Sequence, residues 1–229
     1  SFLSALCTMP EADRLQILDT SPEAIHPARR PEAFIRFLLY HLSSEARRNS
    51  TVLDSLCGTT FRSVNDFIES KCNSESSESR VLTVELKYAR DDGSTKRFFS
   101  DILQNSLFSQ TRLRAWNKVS KSYETIVQRK TVTSLPPMLV ISCGCAGQRP
   151  EDGLCFWRQA EECLPEAIAI ELSESGTVSV AELRNEDRIE SANRRIYKLH
   201  AVVSWINSGD DDSKARGHGG HHVLHPRLT

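Results

Sequence analysis

Apolar residues recur at three- and four-residue steps in two stretches of the chain and at two-residue steps in a third, and these periods predict its clearest elements. Between Pro31 and Arg48, Phe34, Phe37, Leu38 and Leu42 share one side of a helix, while Arg36, Arg47 and Arg48 keep the other side polar. Pro31 suits the first helical turn, where its missing N–H costs nothing. Phe98, Phe99, Ile102, Leu103 and Leu107 return to that spacing and predict a short amphipathic helix. From Val81 to Ala89 the period is two: Leu82, Val84, Leu86 and Tyr88 face one way, Thr83, Glu85 and Lys87 the other. That is the pattern of a strand.

Weaker signals fill the rest. Asn73 to Ser79 is a Ser/Glu tract that predicts a solvated loop, and Asp91-Asp92-Gly93-Ser94 predicts a turn. Thr125 to Val132 reads as an exposed strand, Leu135-Pro136-Pro137 as a hinge, and Met138 to Cys143 as a buried strand. Gly144 to Gly153 reads as loop, and Phe156 to Cys163 as a helix that Pro165 ends. Tyr197 to Ile206 is almost continuously apolar and predicts a central strand. It leads into a Gly- and Asp-rich flexible loop, Asn207 to Gly220. Helices come early and strands late, with little βαβ alternation and no internal repeat. The fold class is α+β.

Composition narrows the function. A chain of 229 residues with 39% hydrophobic content can bury a core as one large domain or two small ones. Lys plus Arg number 29 against 30 Asp plus Glu, so net charge gives no reason to expect tight nucleic-acid or anionic-membrane binding. No apolar run approaches the roughly 18–20 residues that span a bilayer. Ser1-Phe2-Leu3-Ser4 lacks an initiator Met and a basic signal start, which reads as a piece of a longer protein. Seven cysteines form no compact disulfide framework: Cys7, Cys57, Cys72, Cys155 and Cys163 are scattered, and Cys143 and Cys145 flank one glycine. Free thiols in a reducing, cytosolic or nuclear compartment is the reading.

Four candidate chemistries follow. His218, His221, His222 and His225 crowd one stretch and could hold a transition metal, against the ordinary reading of a glycine-rich surface loop entering a strand. A Cys/His nucleophilic pair has Cys57 as its best thiol, in the turn Leu56-Cys57-Gly58-Thr59-Thr60. Nothing marks Cys57 as opening a helix, where a thiol pKa falls. Structural zinc is disfavoured because the chain has no Cys-x-x-Cys pair. Arg112, Arg114, Trp116, Lys118 and Lys121 interleave cations with an aromatic and could contact RNA, against a solvated face as the common case.

Several segments together carry a resemblance. Tyr197-Lys198-Leu199-His200-Ala201-Val202-Val203, then a Gly-rich loop and a histidine cluster, is similar to the final block of ubiquitin-specific proteases. Gln128 with Ser134-Leu135-Pro136 and Met138 to Ile141 looks like the segment linking their finger and palm. Glu85-Leu86 followed by Phe98 to Leu103 looks like their finger entry. Ser1 to Ser4, Pro10-Glu11-Ala12, Phe34 to Leu39, Arg114-Ala115-Trp116, Tyr123 and Phe156 to Glu161 resemble, more narrowly, the ubiquitin-hydrolase-like domain family of poly(A)-nuclease deadenylase large subunits.

The resemblance implies a papain-like cysteine-peptidase architecture. Residues 1–229 would form a single domain without its Cys-box beginning, with a finger-like subregion at roughly 62–135 and a flexible loop at 207–220. His222 sits near the place of the family's catalytic histidine, but no Asn-x-x-Asn-x-Cys segment supplies a nucleophile. The zinc-knuckle positions read Glu69-x-x-Cys72 and Asn117-x-x-Ser120, one thiol of four. The expected set of catalytic, metal and cofactor residues is therefore empty. The implied role is a non-catalytic scaffold for a neighbouring 3′–5′ poly(A) exonuclease domain of the same parent chain and a pseudokinase-like partner subunit. It would act in the cytoplasm, in P-bodies, with weak or no direct nucleic-acid contact. The alternative is a fragment of an active ubiquitin-specific protease with His222 as general base.

Overall fold

Eleven strands and five helices are traced in the computed structural model, which describes residues 2–18, 29–45, 51–68, 75–88, 98–143, 164–173, 176–183, 193–207 and 220–226. In chain order they are α1 (Phe2–Cys7), α2 (Pro10–Arg14), α3 (Arg30–Glu45), α4 (Thr51–Cys57), β1 (Thr59–Phe67), β2 (Glu75–Val81), β3 (Val84–Glu85), α5 (Phe99–Leu107), β4 (Phe108–Asn117), β5 (Ser122–Ser134), β6 (Ile141–Ser142), β7 (Ala167–Leu172), β8 (Val178–Glu182), β9 (Arg194–Lys198), β10 (Ala201–Asn207) and β11 (Gly220–Pro226). Helices cluster early and all strand pairs but one are antiparallel, so the fold is α+β.

The chain divides into two compact units. The first comprises residues 1–53, 143–154 and 199–229. Its helical core gathers Leu6, Ala12, Ile17 and Phe37, with Met9, Leu15, Ala33 and Phe34 packed against them. The helix predicted at Pro31–Arg48 is α3, Arg30–Glu45, with residues 46–48 outside the described residues. Of its predicted apolar stripe Phe37 reaches the core and Phe34 packs against it, while Leu38 and Leu42 are exposed. This unit also holds the β10–β11 hairpin.

The second unit comprises residues 54–142 and 155–198. Its largest sheet has the order β2-β1-β5-β4. β5 is its spine, thirteen residues long and paired on both sides. A three-stranded sheet, β8-β7-β9, and the parallel β3–β6 pair complete it. α5 buries Phe99, Ile102, Leu103 and Leu107, the predicted amphipathic stripe, while Phe98 stays outside as the residue before the helix. Two polar clamps hold α5 in place: Ser106 Oγ accepts from Lys87 N–H at 2.8 Å, and Gln104 Oε1 accepts from Val180 N–H at 3.1 Å. Burial of these apolar groups along one helix face stabilises the unit.

Several expectations are corrected. The Ser/Glu tract is a loop by composition, yet from Glu75 it forms β2, an exposed strand paired with β1 from Thr59↔Val81 to Asn65↔Glu75. Cross-strand pairing, including Arg62–Glu78 at 3.0 Å, overrides its low strand preference. The Val81–Ala89 stretch is not one strand: Val81 ends β2, Val84–Glu85 is the short β3, Val84 and Leu86 are buried as the alternation predicts, and Ala89 lies outside the described residues. Thr125–Val132 is part of β5 and central, with Ile126 and Val132 buried. Of Met138–Cys143 only Ile141–Ser142 is strand, and Met138 is exposed. Tyr197–Ile206 is two strands in different sheets, broken at Leu199-His200. A continuous apolar run carries no mark of where one ladder ends and another begins. Asn207 and Gly220, read as loop, are paired ends of β10 and β11. The expected loop at 144–153, the helix at 156–163 and the turn at 91–94 lie outside the described residues. No described helix is long and apolar enough to cross a membrane.

Candidate functional site

Cys57 was the best local thiol, and its surroundings oppose nucleophilic chemistry. It is the last residue of α4, fully buried, and burial pushes its thiol pKa up. A nucleophilic cysteine wants the opposite: the positive N-terminal end of a helix, or a cation. The turn that follows is built for packing. Gly58 N–H donates to Asp54 C=O at 2.8 Å, and a Cβ at Gly58 would stand 2.3 Å from that same oxygen. Leu56 C=O accepts from Met138 N–H at 2.9 Å, tying the helix end to the segment before β6. The histidines among the described residues, His41, His200, His221, His222 and His225, all belong to the other compact unit, so no described imidazole lies within the unit of Cys57.

The clustered histidines lie on β11. His221 pairs in register with Ile206, His222 with Trp205, and His225 with Val202. His218 lies outside the described residues. His225 is exposed, and its Nε2 is 2.9 Å from Ser204 Oγ, a hydroxyl partner and no thiol. Among the described residues no three His, Cys, Asp or Glu side chains gather as a metal cage.

The expected knuckle remnants divide. Glu69 and Cys72 lie outside the described residues; Asn117 and Ser120 form the tip of the β4–β5 hairpin. Asn117 is buried at 2% exposure, and its Oδ1 accepts from Val119 N–H at 2.8 Å and Ser120 N–H at 3.4 Å. Ser120 Oγ hydrogen-bonds Glu124 and lies 2.9 Å from Ser122 Oγ. Lys121, at φ 52°, completes the reversal. An amide oxygen thus collects the turn's backbone donors, the ordinary work of Asn in tight turns.

The basic–aromatic run becomes one surface. Arg112, Arg114 and Trp116 alternate along β4 and so share a face, with Lys118 and Lys121 in the tip. Directly across from Trp116 stands Tyr123, the rings meeting edge-on at 5.3 Å between centroids. Two partners escaped the sequence reading: Tyr123 as Trp116's mate and Glu124 as Ser120's. The turn residues Asn117 to Ser122 between two extended stretches were the available signal, since a hairpin through them sets residue 116 opposite 123.

Against known proteins, the family model for ubiquitin carboxyl-terminal hydrolases matches residues 1–218. The chain is 28% identical over 188 residues, 73% of its length, to a Rattus norvegicus protein named PAN2-PAN3 deadenylation complex catalytic subunit Pan2. It spans about 15% of that relative's length. Among solved structures, the Neurospora crassa Pan2 catalytic unit, described as protease and nuclease domain, superposes over 97% of this chain and 37% of its own, with TM-score 0.76 and 17% identity. The Saccharomyces cerevisiae PAN2 pseudoubiquitin-hydrolase–RNase module superposes over 97% of this chain and 32% of its own, with TM-score 0.64 and 17% identity.

Proposed function

From the premise that this chain belongs to the ubiquitin carboxyl-terminal hydrolase family, we propose that it is a non-catalytic scaffold within the large subunit of a deadenylase. It supports shortening of mRNA poly(A) tails by an exonuclease domain elsewhere in the parent chain. Residues 1–229 act as one ubiquitin-hydrolase-like module, with the finger near 62–135 and a flexible connection near 207–220. Its partners are that exonuclease domain and a pseudokinase-like subunit, met through packed surface in the cytoplasm and in P-bodies. No side chain of the chain is catalytic, and none holds zinc or another cofactor.

One observation carries the inert half of this reading. The one described thiol of the larger unit, Cys57, is buried at the wrong end of a helix, with its pKa raised. The deadenylase half is supported by the likeness to subunits that bear that name. Hydrolysis of a ubiquitin–fluorophore conjugate by the full-length parent tests the proposal. No turnover is expected. Turnover that disappears on His222→Ala would replace it with the protease reading.

A further inference from the structure

We propose that the face of the β4–β5 hairpin bearing Arg112, Arg114, Trp116 and Tyr123 binds single-stranded nucleic acid. The inference goes beyond the scaffold reading and does not depend on it.

The face is built from alternate strand positions. Arg112, Arg114 and Trp116 come from β4; Tyr123, Val127 and Arg129 come from β5 in direct register with Trp116, Arg112 and Gln110. β4 is the last strand of its sheet, so no further strand among the described residues covers it. Both aromatics are open to solvent, Trp116 at 51% and Tyr123 at 62%. Their edge-on contact sets one ring's edge against the other while both rings keep half or more of their surface in solvent. Arg114 Nη2 donates to Tyr123 C=O at 3.4 Å, which holds the guanidinium beside the ring pair.

Charge decides which ligand fits. Two carboxylates share this face, Asp66 and Glu78, and each is already paired with an arginine, Arg129 and Arg62 respectively. Neither Arg112 nor Arg114 has a carboxylate partner among the described residues, and both are exposed. Successive same-face positions on a strand are about 6.8 Å apart, on the scale of neighbouring phosphates along an extended single strand. Cations at that step beside a stacking platform match a polynucleotide whose bases are unpaired. A duplex keeps its bases stacked internally and cannot use the ring pair. An acidic peptide would engage the arginines and leave the two open rings unexplained. The overall charge of −1 keeps the interaction local and modest.

The experiment is an anisotropy titration of the whole 229-residue chain against a labelled single-stranded oligonucleotide, from about 50 to about 200 mM salt. Micromolar, salt-dependent binding is expected, with a hairpin duplex of the same composition at least about tenfold weaker. Arg112→Gln with Arg114→Gln should weaken binding about tenfold and reduce the logarithmic salt slope by about 1.4, two phosphate contacts at about 0.7 each. Trp116→Leu should weaken binding while leaving that slope unchanged. An unaltered slope and affinity in the arginine pair would overturn the proposal. So would equal affinity for duplex, or displacement of the oligonucleotide by polyglutamate as readily as by unlabelled strand, which would assign the face to an acidic protein segment. The arginines are surface residues with no core contact, so that variant decides the matter even if Trp116→Leu fails to fold.

Discussion

Asn117 and Ser120 close the β4–β5 turn on each other: the buried amide oxygen of the first accepts the backbone N–H of the second, at 3.4 Å, and that of Val119 at 2.8 Å. Ser120 in turn passes its hydroxyl to Glu124, itself buried. The tip of the β4–β5 hairpin is thus organised by hydrogen bonds among Asn117, Val119, Ser120 and Glu124.

Asn117→Ala should destabilise the protein by about 0.5–1.5 kcal/mol, because it removes the side-chain acceptor that organises the backbone donors of the turn. Urea denaturation measures this. Elemental analysis of the purified chain should give no stoichiometric zinc, and added zinc should not restore the variant. One equivalent of zinc per chain would contradict the proposed hydrogen-bonded closure.

Cys57 should resist alkylation in the native state and react only on unfolding. Its folded-state pKa is raised by desolvation. The stability it contributes is therefore complete below the unfolded thiol pKa, about 8.5, and is lost as pH rises through the higher folded value. Cys57→Ala should flatten that alkaline loss of stability above about pH 8.5. An iodoacetamide time course that modifies Cys57 as fast as a free peptide thiol would show the packing to be wrong.

Tyr197 donates its hydroxyl to Pro136 C=O across sixty-one positions of sequence. Burial raises its pKa to about 12, with Arg195 opposing the shift. Tyr197→Phe should cost about 1 kcal/mol at neutral pH. The wild type should then lose stability as pH rises from about 10 towards about 12, the phenol being held neutral by the fold, and the Phe variant should lack that component. Denaturation midpoints of the two proteins at pH 9 and pH 11 make the comparison.

Leu103 and Leu107 are wholly buried on α5. Either residue changed to Ala should cost about 2–5 kcal/mol, the lost transfer energy plus the cavity left behind. Phe98→Ala, one step outside the helix and largely exposed, should stay within about 0.5 kcal/mol. Thermal melts of the three variants test the contrast.

The two amphipathic helices were legible because periodic burial writes itself into the sequence: Phe37 on α3 and Leu103 on α5 fall where the spacing puts them. β2 was not legible, since Glu75 to Arg80 contains no apolar residue and its strand conformation comes from its pairing with β1. β4 hid for a related reason. It is exposed on both faces over most of its length, so no alternation marks it. Arg112, Arg114 and Trp116 stood out as a cluster, but only the hairpin register brings Tyr123 to them. The histidine run was visible as composition, whereas its pairing with β10 needed a long-range partner that no local pattern announces.

The composition of β2 has a consequence of its own. An outermost ladder presents unsatisfied amides and carbonyls that invite another chain to continue it. Here that rim carries serines, two glutamates and an arginine, and every residue from Glu75 to Arg80 is exposed. Such a border offers a newcomer hydrogen bonds but no greasy surface to bury, so stacking copies edge to edge gains too little to persist. The tract that looks structureless by composition serves as a guard against fibre growth.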